Sequence, residues 1–250
     1  MSTCIRQLFS AIQGDYKPFI KSILKINPEL INERCGSKNY TPLHAACGSS
    51  GTTVTVKYLI SLGADINAID IQGYTPLRNA CVNNLIGIVK VLIQSGAHVN
   101  VKNDKGLTPL FSACIFGHVA IARMLIRAGA DINSSYYEDG STPLDRVDFL
   151  LVEHFIEKCE QRKKIIETGK LLIRCGAQVH DLQDKELCEY IVYFENHLKT
   201  KRRWKIAASL MKTVSGLKRW HRRAQEALIW DSHPDNPNGY MQRTLLTWGK

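Results

Sequence analysis

Tyr40-Thr41-Pro42-Leu43-His44-Ala45-Ala46-Cys47 decides the fold of this chain. Thr41 ahead of Pro42 is a helix start. A threonine hydroxyl accepts from an otherwise free amide of the first turn, and proline at the first helical position lacks only an N–H that would be unpaired anyway. Leu43 and the small residues Ala45, Ala46 and Cys47 give a short helix that another helix can approach closely. A glycine-flanked break from Gly48 to Gly51 turns the chain. A second helix follows, with apolar positions at Val54, Val56, Leu59 and Ile60. Gly63 ends it, since glycine takes the left-handed C-cap conformation without strain. Asp65-Ile66-Asn67 then leads into a loop that ends at Gly73. The unit is a helical hairpin with an extended finger.

The unit recurs. Thr-Pro-Leu stands at Thr41, Thr75, Thr108 and Thr142, in steps of 34, 33 and 34 residues. An independent phrase, Gly-Ala-x-apolar-(Asn/His), begins at Gly63, Gly96, Gly129 and Gly176, in steps of 33, 33 and 47. Two phrases sharing one period identify a stacked repeat architecture. A weaker copy opens the chain. Leu8-Phe9-Ser10-Ala11-Ile12-Gln13-Gly14-Asp15 aligns with the first helix, and Phe19, Ile20, Ile23 and Leu24 with the second. It lacks Thr-Pro-Leu, in keeping with the atypical character of terminal repeats. The expected organisation is a repeat domain over residues 1–185, with repeats at about 7–39, 40–73, 74–106, 107–140 and 141–185, and a tail over 186–250.

On Tyr40 to Cys47, Gly63-Ala64-Asp65-Ile66-Asn67, Gly117-His118 and Gly129-Ala130-Asp131-Ile132-Asn133, the chain resembles the ankyrin-repeat family over roughly residues 5–183. The resemblance implies an all-α ankyrin solenoid of about five L-shaped repeats with short hairpin fingers. It also implies protein recognition on the concave face made by fingers and first helices. Three departures stand out. The histidine of Thr-Pro-Leu-His becomes Arg78, Phe111 and Asp145, which should remove a local hydrogen bond the family makes there. The fourth finger, Ser134 to Gly140, is one residue longer and carries Tyr136 and Tyr137. In the fifth repeat, Thr142 to Gly176 spans 34 residues where Thr108 to Gly129 spans 21, so an elongated hairpin is expected through the charged stretch Glu153 to Lys164.

Charge divides the chain at the same place as pattern. The net charge is +10, yet residues 199–250 hold 12 basic and 3 acidic side chains, leaving the body nearly neutral. All four tryptophans (Trp204, Trp220, Trp230, Trp248) lie in that tail. Its basic residues form two clusters, Lys201-Arg202-Arg203 and Lys218-Arg219 with Arg222-Arg223. Between them Trp204, Ala207, Leu210, Met211, Val214 and Leu217 have helical spacing. This basic amphipathic helix is expected to cap the last repeat. Its clusters also suit importin, calmodulin or an acidic membrane surface. Contact with nucleic-acid phosphates is the lesser expectation.

Catalytic and metal chemistry lack their signatures. The sequence contains no phosphate-cradling glycine loop, HExxH or nucleophile elbow, and no Cys/His spacing that suits zinc. No catalytic, cofactor or metal residues are assigned, and no cofactor is expected. Cys47, Cys81 and Cys114 recur at the repeat period. Helices of neighbouring repeats pack about 10 Å apart, too far for disulfide geometry, so these are expected to be buried thiols. The first residues, Met1 to Ile12, carry one basic residue and no long apolar run, unlike a secretory signal. The expected setting is therefore intracellular, cytoplasmic or nuclear, and the expected state monomeric.

Functional expectation rests on the fingers. Ile69, Ile71, Tyr136 and Tyr137 place apolar or aromatic side chains where solvent favours polar ones, with Lys102 and Lys105 on the finger between them. Aromatic anchors of this kind dominate protein interfaces. The chain is thus read as a protein-interaction adaptor. A ubiquitin-ligase substrate adaptor, or a nuclear or nucleic-acid-associated protein using the tail, are the rival readings. The short array, its basic tail and the segment Asn27-Pro28-Glu29-Leu30-Ile31-Asn32 are similar to ankyrin proteins of large DNA viruses or intracellular bacteria, which implies a host protein as partner.

Overall fold

A computed structural model describes residues 3–48, 51–152, 160–179 and 182–193. Its elements are helical: α1 (Thr3–Gln13), α2 (Lys17–Ile26), a 3-10 turn (Pro28–Asn32), α3 (Pro42–Ala46), α4 (Thr53–Ser61), α5 (Pro76–Val82), α6 (Ile86–Gln94), α7 (Pro109–Ile115), α8 (Val119–Arg127), α9 (Pro143–Val152) and α10 (Glu160–Arg174). Residues 185–193 are also helical. Among the described residues the only sheet-like pairing is an isolated bridge between Cys35 and Tyr40. One compact unit runs from Met1 to Ile191. The odd-numbered helices α1 to α9 stack as an inner row, each against the next, and α4, α6, α8 and α10 stack likewise in an outer row.

Each inner helix starts as its sequence dictates. Thr41, Thr75 and Thr108 are extended, and their hydroxyls accept from the amides of His44, Arg78 and Phe111 at 3.4, 3.3 and 3.2 Å. Leu43, Leu77, Leu110 and Leu144 are fully buried at equivalent places. So are Ala46, Ala80 and Ala113, whose small size sets the close approach of neighbouring repeats. The three periodic cysteines are free and buried, and burial pushes their thiols well above the ordinary range.

The Gly-Ala phrase closes each outer helix. Gly63, Gly96, Gly129 and Gly176 have φ of 86°, 90°, 87° and 93°. The alanine after each donates back to the helix: Ala64 to Leu59, Ala97 to Leu92, Ala130 to Leu125 and Ala177 to Leu172, at 3.0–3.1 Å. That is the Schellman closure, which needs a left-handed residue. The asparagine three residues beyond Ala64, Ala97 and Ala130 then reaches into the following repeat: Asn67 Oδ1 accepts from His98 N, Asn100 Oδ1 from Asp131 N and Asn133 Oδ1 from Gln178 N, each at 2.8 Å.

Some expectations change. Val54 and Phe19 lie on their helices but are 56% and 49% exposed. Val54, in the first turn of α4, borders a small open cavity shared with Lys17, Ile20 and Lys21 of α2. Phe19 stands where Thr55 and Ile121 are buried in later repeats. The histidine-slot bond is not lost in the fifth repeat, because the Asp145 carboxylate accepts from Thr142 N and Thr142 Oγ1, both at 2.8 Å. Leu171, Leu172 and Ile173 are buried, as the expectation of a covered last repeat requires, and the tail helix expected to cover them lies outside the described residues. Leu187, itself fully buried, lies against Gly169 there. Of the expected long hairpin, residues 153–159 lie outside the described residues, as does the whole tail from 194.

Candidate functional site

The fingers are built by short-range hydrogen bonding. Asp70 N donates to Tyr74 O at 2.9 Å, Asn103 N to Leu107 O at 3.1 Å and Tyr136 N to Ser141 O at 2.9 Å. In the second finger Asp70 Oδ1 also accepts from Gln72 N and Tyr74 N at 2.8 and 2.9 Å. In the third, Asn103 Oδ1 accepts from Lys105 N and Leu107 N at 3.1 and 2.7 Å. Tyr136 occupies the same place in the fourth finger and cannot act this way. The extra residue there lets Asp139 take over, accepting from Ser141 N at 2.9 Å. The first finger has the longer form too, with its tip at residues 36–39 inside the Cys35–Tyr40 bridge. Arg34 therefore lies at the base of that finger and donates to Ile69 O at 2.5 Å.

Successive fingers are joined by their backbones. Ile71 N donates to Lys38 O at 3.2 Å, Asp104 N to Gln72 O at 3.4 Å and Tyr137 N to Lys105 O at 3.0 Å. Gly73 and Gly106 permit this approach. A Cβ on Gly73 would stand 3.0 Å from Asn103 Cα, and one on Gly106 would stand 2.8 Å from the Tyr137 ring. The result is one continuous row of tips rather than four separate loops.

The structure brings Lys102, Lys105, Tyr136 and Tyr137 together where the third and fourth fingers meet. The Lys102 ammonium lies 5.4 Å from the centre of the Tyr137 ring, and Lys105 pairs with Glu138 at 3.2 Å. Interaction between Glu138 and the Tyr136 hydroxyl raises the phenol's pKa and lowers the carboxylate's, while Glu138 raises that of Lys105. Tyr137 is 61% exposed, whereas Tyr136 is half-buried, with its ring centre 6.3 Å from that of Phe111. Ile69 and Ile71 are separate from this cluster, on the second finger, and are 48% and 59% exposed. Lys201, Arg202, Arg203, Lys218, Arg219, Arg222 and Arg223 lie outside the described residues.

Sequence reasoning passed over the inner-helix side of the groove. Arg78 stacks on Tyr74, its guanidinium carbon 3.7 Å from the ring centre, and its Nε donates to Ser112 Oγ at 3.3 Å. Arg146 lies 5.7 Å from the Tyr136 ring and 5.4 Å from that of Phe149, and pairs with Asp139 at 3.0 Å. The available signal was an arginine, Arg78, in a slot that holds histidine in the second repeat.

His44 is structural. Thr41 N donates to its Nδ1 at 3.3 Å, which leaves the proton on Nε2 to bond Tyr74 O at 3.0 Å. Burial lowers its pKa. His118 similarly bonds Val82 O at 3.1 Å. Among the described residues no group of His, Cys, Asp and Glu side chains could hold a metal, and no helix is long and apolar enough to cross a membrane.

Two family models match the chain. One, described as ankyrin repeats (3 copies), covers residues 8–103, and one described as ankyrin repeat covers residues 105–136. Together they span half of its length. No curated protein matches it.

Proposed function

This chain belongs to the ankyrin-repeat family, whose repeats are generally protein–protein interaction modules, and on that footing we propose that it is a non-catalytic adaptor gripping its partner along the finger row and inner helices. The observation that carries this reading is the backbone ladder between fingers. It holds the exposed side chains of Ile71 and Tyr137 in a fixed row at equivalent positions, so little ordering is left for binding. Exposed apolar and aromatic groups on a rigid frame are the usual anchors of an interface. Replacing Ile71 and Tyr137 together by serine should leave the thermal unfolding midpoint within about 2 °C, since exposed substitutions change stability little. Capture of the principal partner should be abolished. Undiminished capture would move the site elsewhere.

The charge of residues 199–250 supports a second role, docking of the tail to importin or to another acidic surface, including nucleic acid. A salt titration separates these from binding at the fingers, because phosphate-driven binding falls steeply with ionic strength.

A further inference from the structure

We propose that the inner-helix side of the groove reads a carboxylate on the bound partner, so that the occupant is an acidic, extended peptide segment with Arg78 as its receptor. This rests on the adaptor reading above and specifies the partner's chemistry.

Arg78 is half-buried on α5, in the slot that holds His44 in the second repeat. Its guanidinium is fixed twice, by the Tyr74 ring at 3.7 Å and by the Ser112 hydroxyl at 3.3 Å from Nε. The Ser112 bond engages Nε, so the terminal nitrogens remain to donate. Among the described residues no carboxylate lies within ion-pair distance of Arg78. An arginine held this way presents a pre-set fork that matches a carboxylate, and little side-chain freedom is left to lose on binding.

The neighbouring charges agree. Lys38 lies over Tyr40 and Lys102 over Tyr137, at 5.7 and 5.4 Å, again without an acidic partner among the described residues. Lys105 and Arg146, nearer the far end, are already matched by Glu138 and Asp139. The unmatched positive charge thus falls on Lys38 of the first finger, Lys102 of the third and Arg78 of α5, while the second finger carries Asp70, the third also Asp104, and the carboxylates Glu138 and Asp139 of the fourth are paired. A protein segment with a few spaced carboxylates fits that pattern. A continuous polyanion is the competing occupant, and the oligothymidylate probe below separates the two. The chain's own tail, with 12 basic and 3 acidic residues, has the wrong sign for the positively charged part of the groove.

The test uses the full chain and three fluorescein-labelled probes: a 12-residue peptide alternating Glu with Leu or Tyr, the same peptide with Gln for Glu, and a 12-nucleotide oligothymidylate. Fluorescence anisotropy should show the Glu peptide binding at least tenfold tighter than the Gln peptide. Arg78→Gln should remove most of that difference, and Arg78→Lys should remove part of it, since the charge stays but the fork is lost. The tail is present in all variants and cannot produce the change. Circular dichroism checks folding. Should Arg78→Gln not fold, Lys102→Gln, on a solvent-exposed side chain, must weaken the Glu peptide by itself. Equal binding of both peptides, or no effect of a folded Arg78→Gln variant, overturns the proposal. So does oligothymidylate whose binding depends on Arg78. If Gln-peptide binding still falls with Ile71→Ser and Tyr137→Ser, the adaptor reading survives that failure.

Discussion

The side-chain amide of Asn100 belongs to two repeats at once: Oδ1 accepts from Asp131 N at 2.8 Å while Nδ2 donates to Gly129 O at 3.0 Å. Asn32 does the same one end earlier, accepting from Asp65 N at 2.7 Å and donating to Gly63 O at 3.2 Å. A single side chain thereby ties the helix closure of one repeat to the loop of its predecessor. Asn100→Ala should lower the unfolding free energy by about 1 kcal/mol, the usual net value of partly exposed hydrogen bonds. Urea denaturation followed by circular dichroism gives this directly. Asn100→Asp, which keeps only the acceptor, should fall between the two.

The His44 site predicts a dependence on pH. Burial holds the folded-state pKa below the reference value of 6.5, so the unfolded chain takes up a proton before the folded one does. The stabilisation is therefore full above about pH 6.5 and declines as pH falls toward the folded pKa. The carboxylates with lowered pKa, Asp15, Glu138 and Asp139, act only at more acid pH. Urea midpoints measured between pH 7.5 and 5 should decline in the native chain and flatten in His44→Gln (a pH range set by the imidazole reference value, about 6.5). An identical slope in the variant would assign the decline to another group.

The repeats were legible because their signals are local. Thr41 caps an amide three residues away, and Gly63 closes a helix that ends beside it, so neither needs a distant partner. The family resemblance then supplied the stacking. What was not legible depends on contacts across the chain. Asp148 stands where the earlier repeats have Cys47, Cys81 and Cys114, and its buried carboxylate accepts from Gln183 N and Asp184 N at 2.9 and 2.8 Å. Asp184 in turn pairs with Arg162 at 2.6 Å and accepts from Leu187 N at 3.1 Å, starting the helical stretch 185–193. The aspartate in a cysteine slot was visible, but its partners lie 35 and 36 residues away. The half-burial of Tyr136 was not legible for a similar reason: it depends on Phe111 and Arg146, which belong to other elements.

Asp148→Ala should release that segment. Two buried or part-buried amides lose their acceptor, and an orphaned buried donor costs about 1–3 kcal/mol. Hydrogen exchange should quicken for the amides of Leu187 and Cys188, while those of α5 and α7 keep their protection. Asp148→Asn, which retains one acceptor oxygen, should exchange at an intermediate rate. Unchanged exchange at Leu187 in the alanine variant would show that the carboxylate does not hold this helix.

Gly106 tests the fit between the third and fourth fingers. Gly96→Ala meets only the strain of a positive φ, with open space around the new methyl group, whereas Gly106→Ala adds a Cβ 2.8 Å from the Tyr137 ring. Both should destabilise by about 1 kcal/mol or more for the backbone strain, and Gly106→Ala by a further amount. That excess should shrink in a Tyr137→Ala background, where the ring is gone and the tight contact left is with Ser135 O at 3.1 Å. A double-mutant cycle isolates it. Additive losses would place the strain in the backbone alone.

The central claim is that partner recognition lies along the finger row and inner helices. Site-specific photocrosslinking tests it most directly. A photoreactive phenylalanine analogue would be placed at Ile71 or Tyr137 on the finger row, and at Lys90 or Arg123 on the outer helices, all four being exposed. The account predicts one shared crosslinked partner band from Ile71 and Tyr137 and none from Lys90 and Arg123. The same band from Lys90 or Arg123, with none from the finger row, would contradict it.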